Sequence, residues 1–252
     1  MKAFKRWLFL PLLVLLAGPV VAPQAADETF TPTQKAAIEK MIRAYLMAHP
    51  DILIEMTEEL ERKQKAQAAS DAAAGIVKYR DEVLSNGYDH VVNPDGAVPV
   101  VEFFDYNCGY CKRILPTMQQ LQAKNDDLRF IFKELPILSD ESIQASRVAI
   151  AAKKQGKYLE LHNELMAYRG RVDGRVAMKV AEDMGLDMNK LKQDLHSPEV
   201  GAEIDANRRL AEALGIRGTP TLLIGESLIP GALPYERIMA VVEERRQNCA
   251  IC

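Results

Sequence analysis

Two cysteines three residues apart, Cys108 and Cys111, lie where an apolar stretch of the 252-residue chain gives way to a predicted helix. Residues 98–104 are almost continuously apolar, which is typical of a strand buried on both faces. The helix that follows would place Cys108 at its N-terminus, where free N–H groups and the positive end of the dipole stabilise a thiolate. A thiolate is the reacting species in disulfide exchange. The spacing therefore predicts a thiol–disulfide redox site in which Cys111 opens or closes a disulfide with Cys108.

Other uses of a Cys-x-x-Cys pair need ligands that are harder to find in this sequence. A structural zinc site requires four ligands, and the other two cysteines, Cys249 and Cys252, lie far along the sequence. Covalent haem requires a histidine directly after the second cysteine, where this chain has Lys112. An inert structural disulfide remains an alternative. No cofactor or metal ion is predicted, although two thiolates would also suit Cu(I).

Residues 1–26 predict a secretory signal peptide. Three basic residues precede the apolar stretch 7–17, and small residues then allow cleavage near Ala22 or Ala26. The apolar stretch is shorter than the ~20 residues that a membrane span needs, which disfavours the alternative of an uncleaved anchor. We therefore expect a periplasmic protein, in a compartment where disulfides persist.

Composition limits the classes of function. Four cysteines in two pairs are too few to staple a chain of this length, which can bury its own core. The cysteines are therefore expected to serve chemistry rather than stability. The net charge of −3 becomes more negative when the basic start is removed, and nothing favours nucleic-acid binding.

Residues 27–84 predict an N-terminal helical arm. Thr31 and Pro32 suit the start of a helix, and apolar residues then recur at helical spacing. After Pro50 a second helical pattern continues without proline to Leu84, which would give a helix of about 35 residues and ~50 Å. Because this stretch is polar and alanine-rich, we interpret it as an oligomerisation stalk. A helical arm packed on its own domain is the alternative.

Residues 85–252 predict a mixed α/β domain. Its strand candidates are residues 89–92, 98–104, 128–133, 221–224 and 227–229. A block of helical patterns, residues 142–214, lies between the third and fourth strands, so a helical insertion is expected at about 140–215. Residues 234–247 predict a closing helix.

This order of elements resembles the thioredoxin fold, and the helical insertion resembles that of the DsbA-type periplasmic disulfide oxidoreductases. Pro116 stands where thioredoxin-like proteins kink the active-site helix. Residues 218–221, GTPT, look like the cis-proline loop of the family, in which Pro220 would face the cysteines. Glu102 matches a buried glutamate of DsbA-type proteins, and Lys133 matches a charged neighbour of that glutamate on the next strand.

Two of these positions also have a physical rationale. Glu102 alternates with apolar residues on its strand, so burial should raise the pKa of its carboxyl group and suit it as a proton acceptor for Cys111. The alternatives are an exposed glutamate and one neutralised by Lys133. A cis peptide bond before Pro220 would turn the chain so that a backbone edge can pair with an extended client peptide. An ordinary trans turn is the alternative.

The N-terminal region is similar to that of ScsC-like proteins, the suppressor-of-copper-sensitivity group, over residues 30–56. Gly109 and Tyr110 between the cysteines, and Thr219 before Pro220, look like the corresponding residues of DsbC-type isomerases. The resemblance implies that these three residues contact the client. It implies a disulfide isomerase or reductase, and the alternatives are a dithiol oxidase of DsbA type and a Cu(I)-binding protein.

The resemblance also implies partners. These are cysteine-containing exported proteins, a membrane redox protein that reduces or oxidises Cys108 and Cys111, and further copies of the chain. A dimer or trimer would form through residues 27–84.

The second pair, Cys249 and Cys252, follows the closing helix. The C-terminal end of a helix disfavours a thiolate. We expect an exposed pair on a mobile tail, oxidised to a local disulfide or cross-linking non-specifically. A metal-binding or electron-relay role is the alternative.

Overall fold

The structure, a computed structural model, describes residues 30–85 and 87–252. The predicted signal peptide and its two cleavage sites lie outside the described residues. The chain divides into two compact units, one ending at Glu59 and the other running from Leu60 to Cys252. In the described part of the chain, the helices are all too short or too polar to cross a membrane.

The unit that ends at Glu59 holds helix α1 (Pro32–Ala48) and the start of helix α2 (Asp51–Lys78). Thr31 caps α1: its hydroxyl accepts a hydrogen bond from the Gln34 N–H at 3.3 Å, and the Gln34 side chain accepts one from the Thr31 N–H at 2.8 Å. This reciprocal pair satisfies two backbone donors, so the helix begins where the sequence predicts. None of the residues of α1 is buried.

The single helix predicted from Pro50 to Leu84 is wrong at one point. It breaks at Tyr79, where the backbone angles are φ −102° and ψ 28°, and helix α3 (Arg80–Leu84) follows. Ile76 before the break and Val83 after it are both fully buried. Burial of apolar side chains on both sides outweighs the lost helical turn, so this end of the predicted arm is packed rather than exposed.

Five strands form one sheet, and all five were predicted to within a residue or two. They are β1 (His90–Val92), β2 (Val98–Phe104), β3 (Leu128–Glu134), β4 (Thr221–Ile224) and β5 (Ser227–Pro230). Their order is β1-β3-β2-β4-β5, with β2 and β3 parallel and the other neighbours antiparallel. The central strand β2 is buried along its whole length, as its apolar sequence predicts.

The remaining helices confirm the predicted insertion and the closing helix. They are α4 (Gly109–Lys124), α5 (Asp140–Ala152), α6 (Tyr158–Ala167), α7 (Gly174–Asp183), α8 (Met188–Asp194), α9 (Pro198–Ala213) and α10 (Tyr235–Gln247). Helices α5 to α9 lie between β3 and β4. The architecture is a thioredoxin fold with a helical insertion of DsbA type.

The sheet separates two apolar cores because the side chains of a strand alternate between its faces. Val100 belongs to the first cluster, which contains both Cys108 and Cys111. Val101 belongs to the second cluster. The buried members of the second cluster are Ile76, Val83, Val101, Phe103, Ile131, Leu135, Leu210, Ala211, Leu214, Ile216, Leu223 and Ile251.

Candidate active site

Cys108 is the N-cap residue of α4, as predicted. Its Sγ accepts a hydrogen bond from the backbone N–H of Cys111 at 3.4 Å. In its protonated form, the Cys108 thiol donates to the carbonyl oxygen of Thr219 at 3.1 Å. The residue is 6% exposed. The fold therefore brings the start of α4 against the loop before Pro220, although the two are far apart in sequence.

The two active-site thiols differ strongly in acidity. The pKa of Cys108 is lowered to about 5, first by a hydrogen bond from the Cys111 side chain and also by the N–H groups of Cys111 and Tyr110, while burial opposes this. Burial raises the pKa of Cys111 far above its usual value, and the charge on Glu102 adds to the rise. At neutral pH Cys108 is therefore a thiolate and Cys111 a protected thiol.

Glu102 lies on β2 and is 3% exposed. It faces the same way as its register partner Phe132, a member of the first cluster, which also contains Cys111. Burial raises the pKa of the Glu102 carboxyl group to about 8, with a contribution from the charge on Cys108. A carboxyl group whose pKa is close to the working pH is suited to take up a proton and return it.

Lys133 is not the neighbour of Glu102 that was predicted. It is in register with Phe103, so it lies on the opposite face of the sheet. There its buried ammonium group pairs with Asp89 and donates a hydrogen bond to the carbonyl oxygen of Glu82 at 2.6 Å. Neutralisation of Glu102 by Lys133 is therefore ruled out by strand register.

The peptide bond between Thr219 and Pro220 is cis, as predicted. Pro220 is buried, and Thr219 Oγ1 is buried without a hydrogen-bond partner in the described residues. A groove of about 310 Å³ runs along this loop and is lined by Arg217, Leu228 and Pro230 among others. An unsatisfied hydroxyl group and an apolar groove therefore lie beside Cys108.

The two residues between the cysteines lie at the surface. Tyr110 is 57% exposed, and the Arg113 guanidinium lies over its ring, 4.7 Å from the centroid. Gly109 lines a second groove, of about 490 Å³, together with Lys112 and Met166. Gly109, Tyr110 and Thr219, the predicted client contacts, thus all lie around Cys108.

The sequence places a turn at residues 105–107, but the hydrogen bonds that fix this loop were not predicted. The fully buried Asp105 accepts hydrogen bonds from the N–H groups of Ile137 and Leu138, at 3.0 Å each. The Asn107 side chain exchanges hydrogen bonds with the backbone of Val172, at 2.8 and 2.9 Å. Aspartate and asparagine just before a helix start are a turn signal, which could have identified both.

A second buried carboxyl group was also missed. Glu134, at the end of β3, accepts hydrogen bonds from Tyr106 at 2.8 Å, Tyr158 at 2.9 Å and Ser146 at 2.7 Å. Burial raises the pKa of Glu134 to about 8. Because Tyr106 precedes Cys108 in the same loop, this network holds the loop from the core side. No sequence signal distinguishes Glu134 from an ordinary glutamate at a strand end.

The two cysteine pairs differ in oxidation state. Cys108 and Cys111 are free thiols, whereas Cys249 and Cys252 form the local disulfide that was predicted. The expectation of a mobile tail is wrong, because Ile251 is fully buried. Within residues 30–85 and 87–252, groups of three or more His, Cys, Asp or Glu side chains arranged to hold a metal ion are absent.

Comparison with known proteins links the two parts of the chain to two known domains. Residues 99–242 match the DSBA-like thioredoxin domain, and residues 34–67 match the N-terminal domain of the copper resistance protein ScsC. A thioredoxin-like oxidoreductase from Silicibacter pomeroyi DSS-3 is 37% identical, with a TM-score of 0.66 over 68% of this chain and 99% of its own. Proteus mirabilis ScsC in a transitional conformation is 26% identical, with a TM-score of 0.63 over 86% of this chain and 97% of its own.

The curated relatives are longer than this chain. The Na⁺/H⁺ antiporter NhaA 3 of Salinispora tropica is 25% identical over 234 residues, which are 92% of this chain and 35% of the antiporter. The chain thus spans about a third of the length of the curated relatives it matches.

Proposed function

We infer the function from one premise: the chain belongs to the DsbA-like thioredoxin family, a family of thiol–disulfide oxidoreductases. We propose that it is exported and acts as a disulfide isomerase or reductase on cysteine-containing exported proteins. The observation that carries this proposal is the site itself. A thiolate at Cys108 lies beside an open groove and the unsatisfied hydroxyl group of Thr219.

The proposed reaction begins with attack of the Cys108 thiolate on a client disulfide. A mixed disulfide forms, and one client cysteine leaves as a thiolate. In isomerisation, another client thiolate then attacks the mixed disulfide and expels Cys108. In reduction, Cys111 passes its proton to Glu102 and attacks Cys108 Sγ, which leaves Cys108–Cys111 as a disulfide and the client as a dithiol. Run in reverse, the same steps oxidise a dithiol.

Two properties of the thiols favour isomerisation. A low pKa makes Cys108 a good leaving group, so client thiols displace it readily from the mixed disulfide. The raised pKa of Cys111 delays its own attack until a base takes its proton. The mixed disulfide therefore lasts long enough for a client to rearrange.

The N-terminal helices support a role in assembly. Large apolar side chains are exposed along α1 and the first turns of α2, whereas monomeric proteins rarely expose contiguous apolar surface. These side chains are Met41, Ile42, Tyr45, Leu46, Met47, Leu53, Ile54 and Met56. We propose that they pack against further copies of the chain as a dimer or trimer. Several Cys108 sites would then surround one client and raise their effective concentration.

The test compares refolding of a scrambled client with reduction of a small disulfide. The variant Met41→Lys/Tyr45→Lys places two charges on the exposed apolar surface of α1. We expect it to sediment as a monomer and to refold the scrambled client about tenfold more slowly, because only the neighbouring sites are lost. Reduction of a small disulfide should be unchanged, since the Cys108 site is untouched.

Glu39→Ala/Arg43→Ala is the matched control, because both residues are exposed and polar on the same helix. It should leave the assembly and both activities as they are. A wild-type protein that already sediments as a monomer would contradict the proposed role of this region.

The direction of the reaction depends on the redox partner. A membrane protein that supplies electrons would keep Cys108 and Cys111 reduced, as an isomerase or reductase requires. Trapping thiols with acid in intact cells and alkylating them reads this state directly. Finding the pair predominantly oxidised would instead support the dithiol oxidase, and recovery of the protein in the cytoplasm would contradict export.

Binding of Cu(I) is the second candidate, because residues 34–67 match a domain named for copper resistance and two free thiols lie one helical turn apart. Soft thiolates suit Cu(I). Titration with Cu(I) in competition with a chelator tests this, with Cys108→Ser/Cys111→Ser as the control. Equal binding by the wild type and the variant would remove this candidate.

A further inference from the structure

The segment after α10, residues 248–252, is bound to the second cluster rather than free. Ile251 is fully buried there, and its carbonyl oxygen accepts a hydrogen bond from Arg80 Nε at 3.1 Å. The N–H of Ala250 donates to Glu226 Oε2 at 3.0 Å. The 248–252 segment therefore joins α3 to the turn between β4 and β5.

The disulfide is seated at that turn. Cys249 Sγ lies so close to Gly225 that a Cβ atom there would be 3.1 Å from it, and Gly225 has a positive φ of +53°. Only glycine suits this backbone angle and this close approach. The ring closed by the Cys249–Cys252 disulfide thus fixes the backbone on both sides of Ile251. This constraint holds the Ile251 side chain in the second cluster.

The two sulfur atoms of this disulfide are not equivalent. As residues, Cys252 is exposed and Cys249 is half-buried. The N–H of Cys252 donates a hydrogen bond to Cys249 Sγ at 3.1 Å. This donor stabilises negative charge on Cys249 when it leaves as a thiolate. Attack at Cys252 Sγ therefore expels a Cys249 thiolate that this hydrogen bond stabilises.

We propose that Cys249 and Cys252 form a second thiol–disulfide site, whose disulfide fastens residue 251 into the second cluster and whose reduction by a protein dithiol releases it. One thiolate of the dithiol attacks Cys252 Sγ, the Cys249–Cys252 bond breaks, and Cys249 leaves and takes a proton from water. The second thiol of the dithiol then expels Cys252. The dithiol ends as a disulfide, and two electrons have passed to the pair.

The dithiol comes from another molecule. Gly225 follows the last residue of β4 and Pro220 precedes its first residue, so the two ends of the strand are roughly 16 Å apart. Cys108 lies against the loop at Pro220, and Cys249 lies against Gly225. Direct exchange between the two pairs of one chain is therefore excluded, and this proposal does not depend on the function of Cys108.

The experiment uses the full chain and measures both reduction of the Cys249–Cys252 disulfide and release of Ile251 from the second cluster. The protein is incubated in millimolar dithiothreitol, and peptide mass spectrometry after alkylation reports each cysteine pair separately. Amide hydrogen exchange is followed in the same samples. We expect complete reduction of Cys249–Cys252 without loss of the near-ultraviolet circular dichroism of the tyrosines. Exchange in residues 80–84 and 249–252 should rise about tenfold or more, and exchange in β2 should not change.

Two variants separate release from reduction. Cys249→Ser/Cys252→Ser should show the faster exchange with or without dithiothreitol. Ile251→Ser keeps the disulfide and should show faster exchange in residues 80–84 even when oxidised, because the buried side chain is lost. Reduction with unchanged exchange would overturn the proposal, and so would a disulfide that resists dithiothreitol until the protein unfolds.

Discussion

The two Cys-x-x-Cys pairs of this chain have the same spacing, but one pair lies at the start of a helix and the other follows the end of a different helix. Cys108 begins α4, whereas Cys249 follows the end of α10. In both pairs the N–H of the second cysteine donates to the Sγ of the first, at 3.4 Å and 3.1 Å. This hydrogen bond is common to both pairs, whereas the additional donors of a helix start are found only at Cys108.

The burial of the second cysteine is the other difference. Cys111 is 1% exposed and close enough to Glu102 to sense its charge, whereas Cys252 is exposed. The first pair therefore combines a thiol of low pKa with a buried thiol of high pKa, which suits the proposed roles of nucleophile and resolving thiol. The second pair forms a disulfide whose second cysteine is an exposed residue. In the two proposals, the first pair attacks a disulfide and the second pair is attacked.

The largest expected effect is the loss of the nucleophile. Cys108→Ala should lower disulfide exchange by on the order of 1,000-fold, because no other residue near the site supplies a thiolate. Cys111→Ala should instead accumulate mixed disulfides with the client, since resolution within the chain is lost. Non-reducing gels of the protein mixed with a disulfide-containing client distinguish the two outcomes. Substantial exchange by Cys108→Ala would mean that the second pair attacks clients as well.

Alkylation of the fully reduced protein compares the acidity of the two pairs directly. At pH 5.5 Cys108, with its pKa of about 5, is mostly ionised, whereas an ordinary thiol of pKa about 8.5 is ionised to about 0.1%. A thiolate of low pKa is also intrinsically less nucleophilic, so the expected advantage of Cys108 over Cys252 is roughly tenfold.

The labelling rate of Cys108 should fall only when the pH drops through about 5. Mass spectrometry of each cysteine peptide against pH provides the measurement. Equal rates at Cys108 and Cys252 from pH 5 to 8 would show that the helix start does not activate the first pair.

The proposed proton acceptor, Glu102, is tested at the first pair. Glu102→Gln should slow resolution of the mixed disulfide about tenfold and remove its dependence on a group of pKa about 8. Rapid-quench measurement of the mixed disulfide from pH 6 to 9 gives this profile. Aspartate in place of glutamate, Glu102→Asp, is the control that keeps the carboxyl group.

The substitution Glu102→Gln should also change the stability of the fold. The pKa of Glu102 is raised from 4.5 to about 8 on folding, so this group favours the folded state below pH 4.5 and opposes it increasingly as the pH rises towards 8. Glu102→Gln should therefore be more stable than the wild type by roughly 2–3 kcal/mol at pH 7, with little difference at pH 4.5. Urea unfolding at the two pH values measures this. A difference independent of pH would contradict the shifted pKa.

The sequence was most informative where the structure is set by neighbouring residues. The apolar run of β2, the helix start at Cys108 and the loop at Pro220 are local patterns, and all three lie as predicted. The facing of Lys133 was not predictable, because it depends on the register between β2 and β3. A shift of one residue in register reverses the face of every side chain.

The surroundings of the second pair were harder still to predict. Ile251 shares its cluster with Ile76 of α2, Val83 of α3 and Leu223 of β4, all far from it in sequence or in other elements. A segment as short as residues 248–252 has no periodic pattern from which its burial in such a cluster could be predicted. The sequence of this segment indicated a local disulfide but not the core that the segment fills.

The smallest expected effect is at the second pair itself. Cys249→Ser/Cys252→Ser should leave the exchange rate at Cys108 within about twofold, because the two pairs lie at opposite ends of β4 and share no hydrogen bond. The closed loop is short, so loop-closure entropy gives the disulfide only about 2 kcal/mol of stability. Thermal unfolding and the client assay, run on the same samples, measure both quantities. A large loss of disulfide exchange with unchanged stability would mean that electrons pass between the two pairs. That result would contradict the separate roles proposed for the two pairs.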